Sequence, residues 1–248
     1  MFSLSYFKYR FTPNWRMSLV AILSIAFFCY LGSWQLHRAK EKKNMLVQSN
    51  MLANQLPAHW VIGMDNPLQY QPIYVTGYYL PDIFLVDNQH YQHQFGYHVL
   101  TPLVLSGKKV ILIDQGWVRG DNDRHRLPII SPVIDRNNQP VTLTGQAYYP
   151  STKNWLFGDL IDDKKDNITV IELIDTQLIS QFLHKSVYPF IIRLNKAKAS
   201  GYVREWDIVA MSPERHNAYA FQWFAMALAV AIIFICLNLT KIDNNCET

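Results

Sequence analysis

Two stretches without a single charge govern what this chain can become. Residues 17–36 read MSLVAILSIAFFCYLGSWQL, and residues 218–239 read AYAFQWFAMALAVAIIFICLNL. About 20 residues at ~1.5 Å each cover the roughly 30 Å hydrocarbon core, so each run is expected to cross a bilayer as a helix. Trp15 and Trp34 flank the first run, and Tyr219 and Trp223 sit early in the second, where aromatic rings favour the membrane–water interface. A cleaved signal peptide is the alternative for the first run. Its apolar stretch exceeds a typical signal core, however, and no small-x-small site precedes the charged segment that follows. The expected plan is therefore an arm (1–16), a first span (17–36), a water-facing domain (37–217), a second span (218–239) and a tail (240–248).

Two spans put both termini on one side, and charge does not choose that side. Lys8, Arg10 and Arg16 precede the first span, while Arg38, Lys40, Lys42 and Lys43 follow it. The short arm is rich in bulky apolar residues, unlike an amphipathic transit peptide, which favours a bacterial membrane. Mean hydropathy lies near zero only because a polar middle offsets two apolar ends.

Between the spans, HRAKEKKNMLVQSNMLANQ has helical composition and prolongs the first helix beyond the membrane. The period then changes. PIYVTGYYL, IFLVD, YHVLTPLVL, KVILIDQGWV, PVTLTGQAY, ITVIEL and YPFIIRL are short and rich in Val, Ile, Thr and Tyr. Ser106-Gly107 reads as a hairpin turn, and residues 175–184 as a short helix capped by Asp175. The polar stretch 150–167 reads as a loop. The fold class predicted is membrane α plus a mainly antiparallel β domain, in open-sheet or barrel-like form, carrying one or two helices.

Several functions are excluded early. A net charge of +4 without a basic stripe gives nucleic acid nothing to grip. Cys29 and Cys236 lie in the apolar runs and Cys246 in the tail, so the domain has no disulfide and no thiolate metal site. No nucleophile elbow, phosphate loop or H-E-x-x-H helix is present. His90, His93 and His98 cluster in NQHYQHQFGYH, but residues three apart on a strand face opposite ways, which favours a plain polar hairpin.

The stronger cluster lies at the membrane boundary. On a helix, His216, Tyr219, Ala220 and Trp223 fall on one face, with Gln222 near. An antiparallel first helix brings Trp34, Gln35 and Arg38 to the same depth, with Arg215 close by. Polar groups at such depth are costly to leave unpaired. An imidazole for iron, aromatic walls and arginines for propionates would make a haem pocket. The alternative is that these residues merely anchor the helix at the interface. The alanines at 225, 229, 227 and 231 would let the helices approach closely.

Five segments together resemble the surfeit-locus-one family of cytochrome c oxidase assembly factors. They are LGSWQLHR (31–38), YQPIYVTGYYLP (70–81), FGYHVLTPL (95–103), QGWV (115–118) and PERHNAYAFQWFAMA (213–227). The resemblance implies a multi-pass protein of a bacterial inner membrane, its central domain periplasmic and its arm and tail cytoplasmic. It implies a respiratory-chain chaperone, not an enzyme, that assists insertion or stabilisation of haem a in oxidase subunit I. Partners would be that subunit, other oxidase assembly factors and membrane lipid.

The family's membrane-boundary histidine corresponds to His216, implying an axial ligand to haem a. Depth and helical phase add Arg38 or Arg215 opposite the propionates, and Trp34, Tyr219 and Trp223 against the ring. Gly96, His98, Gly116 and Trp117 match family motifs, the glycines as turn or close-packing positions and Trp117 as core. Two departures stand out. Asp114-Gln115 replaces Asn-Arg before Gly-Trp-Val, and NWLFGD near Trp155 has Gly158 where an aromatic residue is expected. Two rival functions remain: a scaffold that holds an oxidase intermediate without haem, and a tethered enzyme using His90, His93, His98 and His125.

Overall fold

The computed structural model describes residues 9–121, 123, 126–130, 139–150, 161–165 (backbone only), 167–196 and 201–241. The chain forms two compact units, one from the residues up to Val47 with those from Ile208 onward, the other from Gln48–Asp207. In chain order the elements are β1 (Tyr9–Phe11), α1 (Trp15–Ala53), β2 (Ala58–His59), β3 (Pro72–Tyr79), β4 (Ile83–Tyr91), β5 (Gln94–Val104) and β6 (Val110–Arg119). Then come β7 (Val141–Tyr148), β8 (Ile161–Lys165), β9 (Ile168–Ile171), α2 (Thr176–Leu183), β10 (Val187–Leu194), α3 (Pro213–Leu237) and β11 (Leu239–Lys241).

In the first unit, α1 and α3 are both long and apolar enough to cross a membrane. At 39 residues, α1 reaches roughly 58 Å, well beyond the hydrocarbon core, because nothing in residues 37–53 breaks a helix. α3 starts at Pro213 behind the cap Ser212, whose hydroxyl accepts from the Arg215 amide. It stops at Asn238, whose side chain turns back to donate to the Phe234 carbonyl. The same asparagine binds the start of α1: its carbonyl accepts from the Thr12 amide and its side-chain oxygen from the Asn14 amide. β1 and β11 pair antiparallel beside it, Arg10 opposite Thr240, and Phe11 meets Phe234 edge-on. Nothing in the sequence had pointed to this ribbon.

The helices meet through a stripe of α3 that includes the buried His216, Ala220 and Ala227, spaced four and seven apart. Of the two alanine rows expected to let the helices approach, Ala227 is buried and Ala231 half-buried, whereas Ala225 and Ala229 are exposed and do not mediate it. Close approach also comes from Gly32 on α1. A Cβ there would lie 2.7 Å from the Phe224 ring. A Gly32→Leu change is expected to push Phe224 out and separate the helices. The cross-linking yield of a Gln35→Cys/His216→Cys pair should then fall severalfold, with a smaller fall for Gly32→Ala.

The second unit is the predicted β domain, and its sheet closes. β3, β7, β10, β6 and β5 follow one another, and β5 returns to β3 through Tyr78 opposite Val104 and Tyr79 opposite Leu103. The result is a five-stranded barrel. β4, β9 and β8 continue the sheet outward from β5, and β2 adds to β3. Most pairings are antiparallel, but β2–β3, β4–β9 and β6–β10 are parallel.

Alternation sorts the side chains. Ile73, Val75, Leu103, Ile111, Ile113 and Ile192 fill one cluster with Phe190. Phe84, Leu100, Leu112 and Ile191 face the other way, with Ile179 of α2. α2 has the predicted cap, with Asp175 accepting from the amides of Gln177 and Leu178. The Ser106-Gly107 hairpin is also present, joining β5 to β6. The stretch 150–167 is not all loop, because β8 lies within it, paired with β9.

Candidate functional site at the paired helix ends

At the end of the helix pair away from the ribbon, His216 is 8% exposed and its Nδ1 lies 2.7 Å from Gln35 Oε1. A carbonyl oxygen can only accept, so with the amide in this orientation Nδ1 carries the proton. Nε2 is then the nitrogen with the free lone pair. This is how proteins prepare a metal-ligating histidine: the second nitrogen donates to a fixed acceptor, which sets the tautomer and the ring plane.

The surrounding residues divide into two groups. Half-buried Trp223 stacks on Phe28 of α1, with centroids 5.9 Å apart and planes 25° apart, giving the helix pair an aromatic layer. Tyr219 is 45% and Trp34 47% exposed, so neither packs into the seam. Arg215 is exposed on the first turn of α3. Arg38 is engaged: its guanidinium donates to Glu41 at 2.7 Å, and His37 lies 3.3 Å from the other oxygen of that carboxylate. Sequence reasoning missed Phe28 and Glu41. Glu41 was findable, being one turn beyond Arg38 on the same helix face.

The domain histidines do not converge. His90 opposes Phe95, and His93 sits in the two-residue turn Gln92-His93, both residues at positive φ. His125, Trp155 and Gly158 lie outside the described residues. Among the described residues no three His, Cys, Asp or Glu side chains gather as metal ligands.

His98 has a different role. Its Nδ1 is 3.2 Å from Asp114 Oδ1, and its ring stacks on Trp206. Asp114 is buried, accepts from the Gly116 amide, and lies 3.9 Å from Arg193 Nε. The Arg193 guanidinium rests on the Tyr148 ring at 3.4 Å. Gln115 faces the other way, donating to Tyr79 and Thr101 hydroxyls. Burial pushes the Tyr79 phenol up from its ordinary range. Asp114 and Gln115 thus anchor polar networks on opposite sides of β6. Trp117 is buried and donates to the Gln89 carbonyl, as its reading as core requires.

A closed β-barrel whose chain enters and leaves by long apolar helices, with a histidine held between them, defines a membrane-anchored barrel protein. The SURF1 family profile matches residues 22–228, from the first helix through most of the second. A SURF1-like protein of Rickettsia felis is 27% identical over 233 residues, 89% of this chain and 96% of the relative. One from Rickettsia bellii is 28% identical over 232 residues, covering 88% and 89%. An uncharacterized SURF1-like protein of Mycobacterium bovis is 23% identical over 143 residues, about half of each chain. This chain belongs to the SURF1 family, known as oxidase assembly factors.

Proposed function

We propose that this protein is a non-enzymatic assembly factor for a haem-copper terminal oxidase, holding haem a as cargo at the membrane boundary for delivery to subunit I. In this reading the barrel faces the periplasm of a bacterial inner membrane, where other assembly factors of the respiratory chain would meet it. Family membership supports the oxidase, and the 2.7 Å contact between His216 and Gln35 carries the haem.

The residues fit such a cargo. Haem a brings an iron that takes a neutral imidazole, an apolar macrocycle and two propionates. His216 would offer Nε2, with Gln35 holding the ring in the required tautomer. Trp223 and Phe28 supply an apolar layer, and Tyr219 and Trp34, both exposed, flank it. Arg215 is open to a propionate, whereas Arg38 must first leave Glu41. A charge-assisted pair as exposed as this one is worth only about 0–1 kcal/mol, so that exchange costs little.

The test is the visible spectrum of the detergent-purified protein, co-expressed with the enzymes that make haem a. Wild type should carry a haem band that His216→Ala reduces to background. Gln35→Leu, which loses the acceptor but keeps the ligand, should lower affinity roughly 10–100-fold. Folded wild-type protein without haem, still bound to subunit I, would overturn the haem reading and leave a scaffold that works by contact alone.

A further inference from the structure

At the ribbon end of the helix pair, the seam between α1 and α3 opens into an apolar groove of about 350 Å³. Its lining includes Val20, Ala21 and Ser24 of α1 and Ile233 and Phe234 of α3, with Arg16 at its end. The groove exists because Ala21 and Ser24, one turn apart on α1, are too small to fill the seam. Its volume falls within the ~300–1,000 Å³ of small-ligand sites.

Among the described residues the charges around it have one sign. Arg16 is exposed, and its guanidinium lies over the Trp15 ring, with no acidic partner among the described residues. Arg10 on β1 and Lys241 on β11 belong to the same end of the helix pair. No Asp or Glu occurs in the sequence before Glu41, and among the described residues beyond α3 there is none. An apolar slot ending in a cation, beside aromatic rings suited to the headgroup layer, matches a molecule with an acyl chain and a phosphate.

We infer that this groove binds one anionic glycerophospholipid, an acyl chain along Ala21 and Ser24 and the headgroup phosphate at Arg16. The site is separate from His216, which lies near the opposite end of α3 from Phe234, and needs no haem. A second copy of this chain is the rival occupant. It would have to bury Arg16 against a surface whose described residues in that part of the helix pair offer no acid.

Native mass spectrometry of the full chain, released from detergent containing equal phosphatidylglycerol and phosphatidylcholine, tests the inference. Wild type should retain one phosphatidylglycerol in preference to phosphatidylcholine. Arg16→Gln should lose about fivefold of that preference, the value of one cation at the surface, and Arg16→Lys should keep it. Ser24→Leu, which fills the slot with an ordinary membrane residue, should weaken retention of both lipids. Equal retention of the two lipids by wild type would overturn the inference, as would an unchanged preference in Arg16→Gln. A dimer that Ser24→Leu dissolves would overturn it in favour of a second copy.

Discussion

Asp114→Ala is expected to destabilise the barrel by about 3–5 kcal/mol, the usual cost of removing one partner of a buried ion pair. Asp114 is 1% exposed, so water cannot replace it. Its loss leaves the Gly116 amide without its acceptor, His98 without its partner, and the guanidinium of Arg193, 16% exposed, without its nearby anion. Stability of an ordinary domain is only about 5–15 kcal/mol, so the variant should lose a large share of it. Asp114→Asn keeps the shape and one acceptor oxygen and should cost clearly less. Urea unfolding of the full chain in detergent, followed by tryptophan fluorescence, measures both. Equal midpoints for wild type and Asp114→Ala would show that the network contributes nothing.

Gly116→Val should be of similar size for a different reason. Gly116 has φ +123°, where side chains are strained, and a Cβ there would meet the Val203 carbonyl oxygen at 2.6 Å. That carbonyl accepts from the Trp117 amide, and the Val203 amide donates back to Trp117. The valine therefore forces an outlying backbone conformation and pushes the 202–204 segment off β6. Strain of about 1–3 kcal/mol and overpacking of about 1–3 kcal/mol act together. At roughly 2–4 °C per kcal/mol for a domain of this size, the melting temperature should drop by about 10 °C. Gly116→Ala should show the strain with less of the displacement.

Much of this architecture can be read from the sequence because it is local. The apolar runs, the Asp175 cap and the Ser106-Gly107 hairpin each depend on residues within a few positions of one another. Barrel closure does not. Tyr78 meets Val104 only after β4 and β5 have intervened, and β6 meets β10 in parallel across nearly 80 residues. No short window contains either pairing. β8 was hidden because IDDKK has neither alternation nor β-branched density, and pairing with β9 overrides its composition.

At the helix ends phase divides the cluster. His216, Tyr219, Ala220 and Trp223 span about 100° of helix surface, more than one partner helix covers. α1 takes the sector of His216, Ala220 and Trp223, and Tyr219 falls outside it. Periodicity selects a face, while the small residue on the opposite helix, here Gly32, decides where that face is centred.

The ribbon of β1 and β11 makes the two ends of the helix pair mechanically unequal. At one end three residue pairs, the Asn238 bonds and the Phe11–Phe234 contact tie α1 to α3. At the other, among the described residues, one side-chain hydrogen bond joins the helices, Gln35 to His216. Any spreading of the helices must therefore begin at the histidine, pivoting on the ribbon like the arms of a pair of forceps. A chain cut before Asn238 would keep both arms and lose all of the rivet but the Phe11–Phe234 contact.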